Sequence, residues 1–73
     1  LLERNRHADA VTAFTNALRM RPGYAEAHNN LGIAYGSLGD LDRAIAQFEA
    51  ALRARPAFED AARNLAMARA ARR

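Results

Sequence analysis

Asn30 and Asn64 stand 34 residues apart in a chain of 73. An asparagine side chain offers one carbonyl acceptor and one amide donor group, the same two functions that a peptide unit presents. Such residues, repeated at a fixed spacing, can hold an extended backbone without reading its side chains. The same two residues can also simply bond across a helix–helix contact. Arg63, next to Asn64, could pair with an acidic group on a ligand. A salt bridge to its own neighbours Glu59 or Asp60 would use that cation equally well. Catalytic chemistry finds no matching set. His7 and His28 are the only histidines, and no carboxylates are spaced with them as metal ligands. His28 reads as a packed residue. There is no cysteine, which excludes disulfides and thiolate metal sites. Asp40 and Asp42 look like an acid pair, but the start of a helix explains both. No Gly-rich phosphate loop and no nucleophile–base order is present. The expectation is a non-catalytic chain with no metal and no cofactor.

Length and composition narrow the class. Seventy-three residues allow one small domain with a thin core. Nineteen are alanine and 11 are arginine, lysine is absent, and the β-branched residues are Val11, Thr12, Thr15, Ile33 and Ile45. That mixture favours helix and rules out an all-β fold. A net charge of +3 raises the question of nucleic acid. However, Arg19, Arg21, Arg53 and Arg55 fall at the expected ends of helices, where cations suit the macrodipole. Acidic residues are interspersed and no aromatic lies among the terminal arginines, so nucleic-acid binding is not expected. No stretch is long and apolar enough to span a bilayer, and no secretory leader is visible. A cytoplasmic protein that does not bind membranes is the expectation.

The elements that position these residues follow from self-comparison. A shift of 34 residues aligns Ala10, Val11, Phe14, Ala17 and Leu18 with Ala44, Ile45, Phe48, Ala51 and Leu52. Arg21 and Pro22 fall on Arg55 and Pro56; Asn30 and Leu31 fall on Asn64 and Leu65. Across 10–37 against 44–71 there are 11 identities in 28 pairs without a gap. The apolar positions within each unit recur at i, i+4, i+7 and i+8, one stripe of an α-helix. Pro22 and Pro56 stop helices. Gly39 supplies a left-handed C-cap and Asp40 a following N-cap, with Asn5 expected to make the corresponding turn one repeat earlier. Four helices are predicted, near 7–21, 25–37, 41–55 and 59–72, with neighbours antiparallel. Met20 and Met67 read as gap fillers.

His28-x2-Leu31-Gly32-x2-Tyr35, then Ala44-x3-Phe48, Ala51 and Pro56, resembles the tetratricopeptide repeat, with His28 standing where the family pattern has tryptophan. The resemblance covers the whole chain. It makes 1–24 the second half of a repeat, 25–58 a complete repeat, and 59–73 the first helix of a further repeat or a cap. The implied fold is all-α: antiparallel helix-turn-helix units stacked as a short right-handed superhelix. The implied function is a protein–protein interaction scaffold whose concave face binds an extended peptide or partner segment. First helices line that face in this family, which places Asn29, Asn30, Ile33, Arg63, Asn64 and Met67 as peptide-binding residues. The Asn29-Asn30-Leu31-Gly32 run is similar to repeats of the O-linked N-acetylglucosamine transferase type, whose groove carries an asparagine ladder. Relatives that clamp a terminal carboxylate use cations near the groove asparagine. Glu26 and Asn29 take two of those places here, so a clamp is not expected.

The two ends differ. Ala62 and Arg69 take the places of His28 and Tyr35, which gives the last helix the polar outer face of a terminal cap. Arg73 is therefore expected near a true C-terminus or a break between repeats. Leu1 aligns with Tyr35, so the chain is expected to open within a helix, as a fragment of a longer repeat protein or with an edge covered by another copy. That edge is Val11, Phe14 and Leu18, a stripe for self-association into a homo-oligomer. The alternative function is thus a structural element with no groove ligand.

Overall fold

The computed structural model describes residues 2–73, with side chains from residue 3 onward. It contains α1 (Leu2–Met20), α2 (Ala25–Ser37), α3 (Leu41–Ala54) and α4 (Glu59–Arg72). The described chain is all-α. Each helix folds back on the one before it, and the whole forms a slab of 35 × 33 × 15 Å.

The turns show why the chain reverses where it does. After α2 the chain closes a Schellman motif: Asp40 N–H donates to the Tyr35 carbonyl at 2.9 Å and Gly39 N–H to the Gly36 carbonyl at 3.0 Å. Gly39 has φ +81°, a conformation that costs a residue with a Cβ. Asp40 then caps α3, its Oδ1 accepting from the Arg43 N–H at 3.2 Å while Oδ2 accepts from the Arg43 guanidinium at 2.7 Å. The side-chain bond from Arg43, followed by the backbone bond, holds the Asp40 carboxyl below its ordinary range. A carboxyl depressed in the folded state contributes stability above the ordinary aspartate range, and that contribution is lost as pH falls through its lowered value. Asp40→Asn, which can still cap, is therefore expected to flatten the acid limb of the thermal-unfolding midpoint between neutral pH and pH about 2. An identical acid limb, followed by circular dichroism, would contradict this role.

The two remaining turns are copies of one another. Arg21-Pro22-Gly23-Tyr24 and Arg55-Pro56-Ala57-Phe58 each close with the aromatic residue's N–H on the arginine carbonyl, both at 3.0 Å. Each arginine stacks over the ring three residues on, at 4.2 Å for Arg21 on Tyr24 and 4.1 Å for Arg55 on Phe58. Arg21 and Arg55 thus lie just beyond the helices. Their role is turn stacking, whereas Arg19 and Arg53 do stand in last turns.

The centre of the core is α3. Ala44, Ile45 and Phe48 pack with Leu65 and Ala68 of α4, and Tyr35, Leu41 and Leu52 close the margins. Gly32 of α2 lets the Phe48 ring approach so closely that a Cβ there would lie 2.5 Å from ring carbon Cε1. Helix α3 is covered by α2 on one side and α4 on the other. Helix α1, among the described residues, packs on α2 alone. Consequently Ala44, Ile45, Phe48 and Ala51 are buried, while their counterparts Ala10, Val11, Phe14 and Ala17 are half-buried.

The start of α1 corrects an expectation. No turn forms at Asn5; the helix runs unbroken from Leu2, and no residue other than glycine has a positive φ among those described. Helical geometry suits Glu3, Arg4 and Arg6, and a left-handed Asn5 would cost about 1–2 kcal/mol. Leu1, aligned above with Tyr35, lies outside the described residues. Met20 is no gap filler either, since 84% of its surface is exposed at the end of α1.

Candidate binding groove

Two polar brackets fix how α2 and α4 present their side chains. His28 occupies the tryptophan position half-buried, with Nε2 2.8 Å from the Pro22 carbonyl and Nδ1 2.8 Å from Oε1 of Gln47. The carbonyl can only accept, so Nε2–H donates to it; Nδ1 of the neutral ring then accepts, pairing with Gln47 once that side-chain amide turns its N–H toward the ring, and the ring ties the α1–α2 turn to α3. The second bracket crosses from α4 to α2: the Asn64 side-chain amide donates to Oδ1 of Asn29 at 3.0 Å.

That bond corrects the placement of Asn29. Its exposure is 6%, so it is not an outward-facing position. Adjacent residues on a helix point about 100° apart, and here Asn29 turns beneath α4 while Asn30 faces solvent. Asn64 is half-buried, so the two asparagines one repeat apart do not stand in equivalent surroundings. Arg63 is exposed and bonded to Asp60 at 2.6 Å, the local pairing that its neighbours allowed.

Between α2, α3 and α4 lies an open cleft of about 310 Å³. One wall is Ile33, Gly36 and Ser37 of α2; the other is Met67, Ala68 and Ala71 of α4, with Asn64 beside them. Leu41, Ala44 and the Phe48 ring make the floor. Three of the residues singled out from sequence therefore meet here: Ile33, Asn64 and Met67. Asn29, Asn30 and Arg63 do not line the cleft. Gly36 and Leu41 were missed, although glycine four residues after Gly32 signals space along one helix face. Ile33 is 46% and Met67 65% exposed, so Met67 too is no gap filler.

Two further ion pairs lie around the cleft and not in it. Arg69 reaches Glu49 at 3.0 Å and Arg72 reaches Asp42 at 3.2 Å, both pairs joining α4 to α3 at the surface. Val11, Phe14 and Leu18 are half-buried on α1, apart from the cleft. Among the described residues no group of three His, Cys, Asp or Glu side chains gathers as around a metal ion, and no helix is long and apolar enough to cross a membrane.

Comparison with known proteins agrees with this architecture. The tetratricopeptide repeat family model matches residues 1–57 and again 31–73. No curated protein is similar enough to the chain to match it. Tetratricopeptide repeats generally mediate protein–protein interaction, on a scaffold that is typically non-catalytic. With paired helices, a glycine seat for the core phenylalanine, repeated proline turns and two overlapping matches that together span all 73 residues, the chain belongs to the tetratricopeptide repeat family.

Proposed function

We propose that the chain is a protein-interaction module that holds an extended segment of a partner along the concave face formed by α2 and α4. The observation that carries this reading is the cleft, open to solvent and flanked by the exposed side chains Ile33 and Met67. Exposed large apolar groups gathered at one place mark interaction surfaces. Asn64 gives one amide hydrogen to Asn29 and keeps its carbonyl and second hydrogen for a peptide unit. Asn30, exposed, offers both functions further along α2. The two act unequally, one held in place and one free, in contrast to a uniform asparagine ladder. Arg63 contributes at the rim. The repeat boundaries we infer are 1–24, 25–58 and 59–73.

The test selects binding peptides from a random library against the 73-residue chain and maps them by amide chemical shifts. Ile33→Asp combined with Met67→Asp is expected to weaken binding at least about tenfold, or 1.4 kcal/mol, with helicity unchanged because both side chains are exposed. Undiminished binding in that variant would overturn the groove reading.

A second reading rests on a separate observation, the half-burial of Val11, Phe14 and Leu18 where the α3 counterparts Ile45 and Phe48 are buried. It makes the chain a structural element that associates through α1. Light scattering across a tenfold concentration range is then expected to show mass rising above the 8.0 kDa of one chain. A constant monomer mass excludes it.

A further inference from the structure

The cleft is uncharged on every side. Among the described residues, the large hydrophobic side chains left exposed are Met20, Ile33 and Met67, and two of those three stand on its opposite walls. Its floor is the Phe48 ring with Leu41 and Ala44, and its small lining residues, Gly36 among them, keep it open. No charged residue lines it. The arginines nearest along α4 are engaged elsewhere: Arg63 with Asp60, Arg69 with Glu49 and Arg72 with Asp42. Ser37 and Asn64 are its polar groups, and one amide hydrogen of Asn64 is already given to Asn29.

Complementarity in charge therefore specifies the occupant. A carboxylate or ammonium seated here would lose water and gain no opposite charge. An aliphatic or aromatic side chain would lose only unfavourable hydration and gain contact with the Phe48 ring, Ile33 and Met67. At about 310 Å³ the space lies at the low end of ligand pockets, which suits one large side chain better than an extended small molecule. Resting on the interaction reading above, we infer that this cleft is a receptor for a single uncharged leucine- or phenylalanine-like side chain projecting from the partner segment. The same uncharged lining offers no opposite charge to an acidic C-terminus seated in the cleft.

The probes are end-capped octapeptides of serine and alanine carrying one central leucine, phenylalanine, glutamate or arginine, titrated into the isotope-labelled chain. The leucine and phenylalanine peptides are expected to move the amides of Gly36, Ser37 and Ala71, and to bind at least tenfold more tightly than the glutamate and arginine peptides. Gly36→Leu, whose new side chain fills the cleft, is expected to weaken the leucine peptide at least tenfold while circular dichroism stays helical. Ala71→Leu fills the space from the opposite wall and serves if the first variant is misfolded. Arg53→Ala, exposed in the last turn of α3 and outside the cleft, is expected to leave affinity within twofold. Equal or tighter binding of the glutamate peptide, lost in Arg63→Ala, overturns the inference while leaving groove binding intact. Failure of the leucine and phenylalanine peptides to move those amides also overturns it. If library-selected peptides still shift the groove, the interaction reading survives; if they too bind elsewhere, both readings fall.

Discussion

Phe48→Ala is expected to destabilise the chain by about 3–5 kcal/mol, the usual cost of truncating a buried phenylalanine. The ring is 4% exposed, covered by α2 on one side and by α4 on the other. Single domains hold about 0.05–0.15 kcal/mol per residue, which puts the total here near 4–11 kcal/mol. One truncation thus removes a large share of the stability, and chemical denaturation should show the midpoint collapse. Phe14→Ala provides the internal control. The residue type and helix position are the same one repeat earlier, but the ring is half-buried because α1 packs on α2 alone. Its cost in the monomer should be about half that of Phe48→Ala. Equal costs at concentrations where the mass is 8.0 kDa would contradict the packing described for α1.

Gly32→Ala should be destabilising even though alanine is the better helix former. Propensity favours alanine by about 1 kcal/mol. Against this, the added Cβ would stand 2.5, 2.7 and 2.9 Å from three carbons of the Phe48 ring. That ring is 4% exposed and packed with Leu65 and Ala68, so it must shift to admit the methyl group and overpacking of about 1–3 kcal/mol wins. Adding Phe48→Leu to Gly32→Ala should recover part of the loss, a coupling that a double-mutant cycle measures directly. Gly36→Ala, one turn on, is the converse case. Its Cβ would meet only the Ala44 Cβ, at 4.0 Å. With no clash, the propensity term stands alone and the variant should gain about 0.5–1 kcal/mol. If both glycines responded alike to alanine, the close approach of α2 and α3 would not be what requires Gly32.

Most of the fold was legible from sequence because its punctuation is chemically unambiguous. Proline at 22 and 56 and glycine at 39 permit few backbone alternatives, and the bounds of α2 and α4 came out as expected. Asn5 was misleading because asparagine merely tolerates the left-handed conformation and does not require it, so helix propensity could prevail. The groove was less legible. Asn29 and Asn30 are chemically identical neighbours, and periodicity alone cannot decide which turns beneath α4. The stacked turns were overlooked because Tyr24 and Phe58 are not identities, and their arginines had an adequate explanation in the helix dipole. What repeats there is an aromatic face, a property that residue matching does not register.

The seat that Gly32 provides for Phe48 also bears on polymerisation. An array of half-completed repeats could propagate head to tail, with α4 of one molecule pairing with α1 of the next as α2 pairs with α3. The residue of α4 that falls 34 positions after Gly32 is Ala66. A junction built like the α2–α3 pair would set a methyl group against Phe14 where Gly32 leaves room for Phe48. Arg69, already tied to Glu49, would meet an apolar stripe where Tyr35 packs in the complete pair. A head-to-tail junction would therefore need a wider helix spacing than the α2–α3 pair has. A closed face-to-face pair through α1 would avoid that junction altogether.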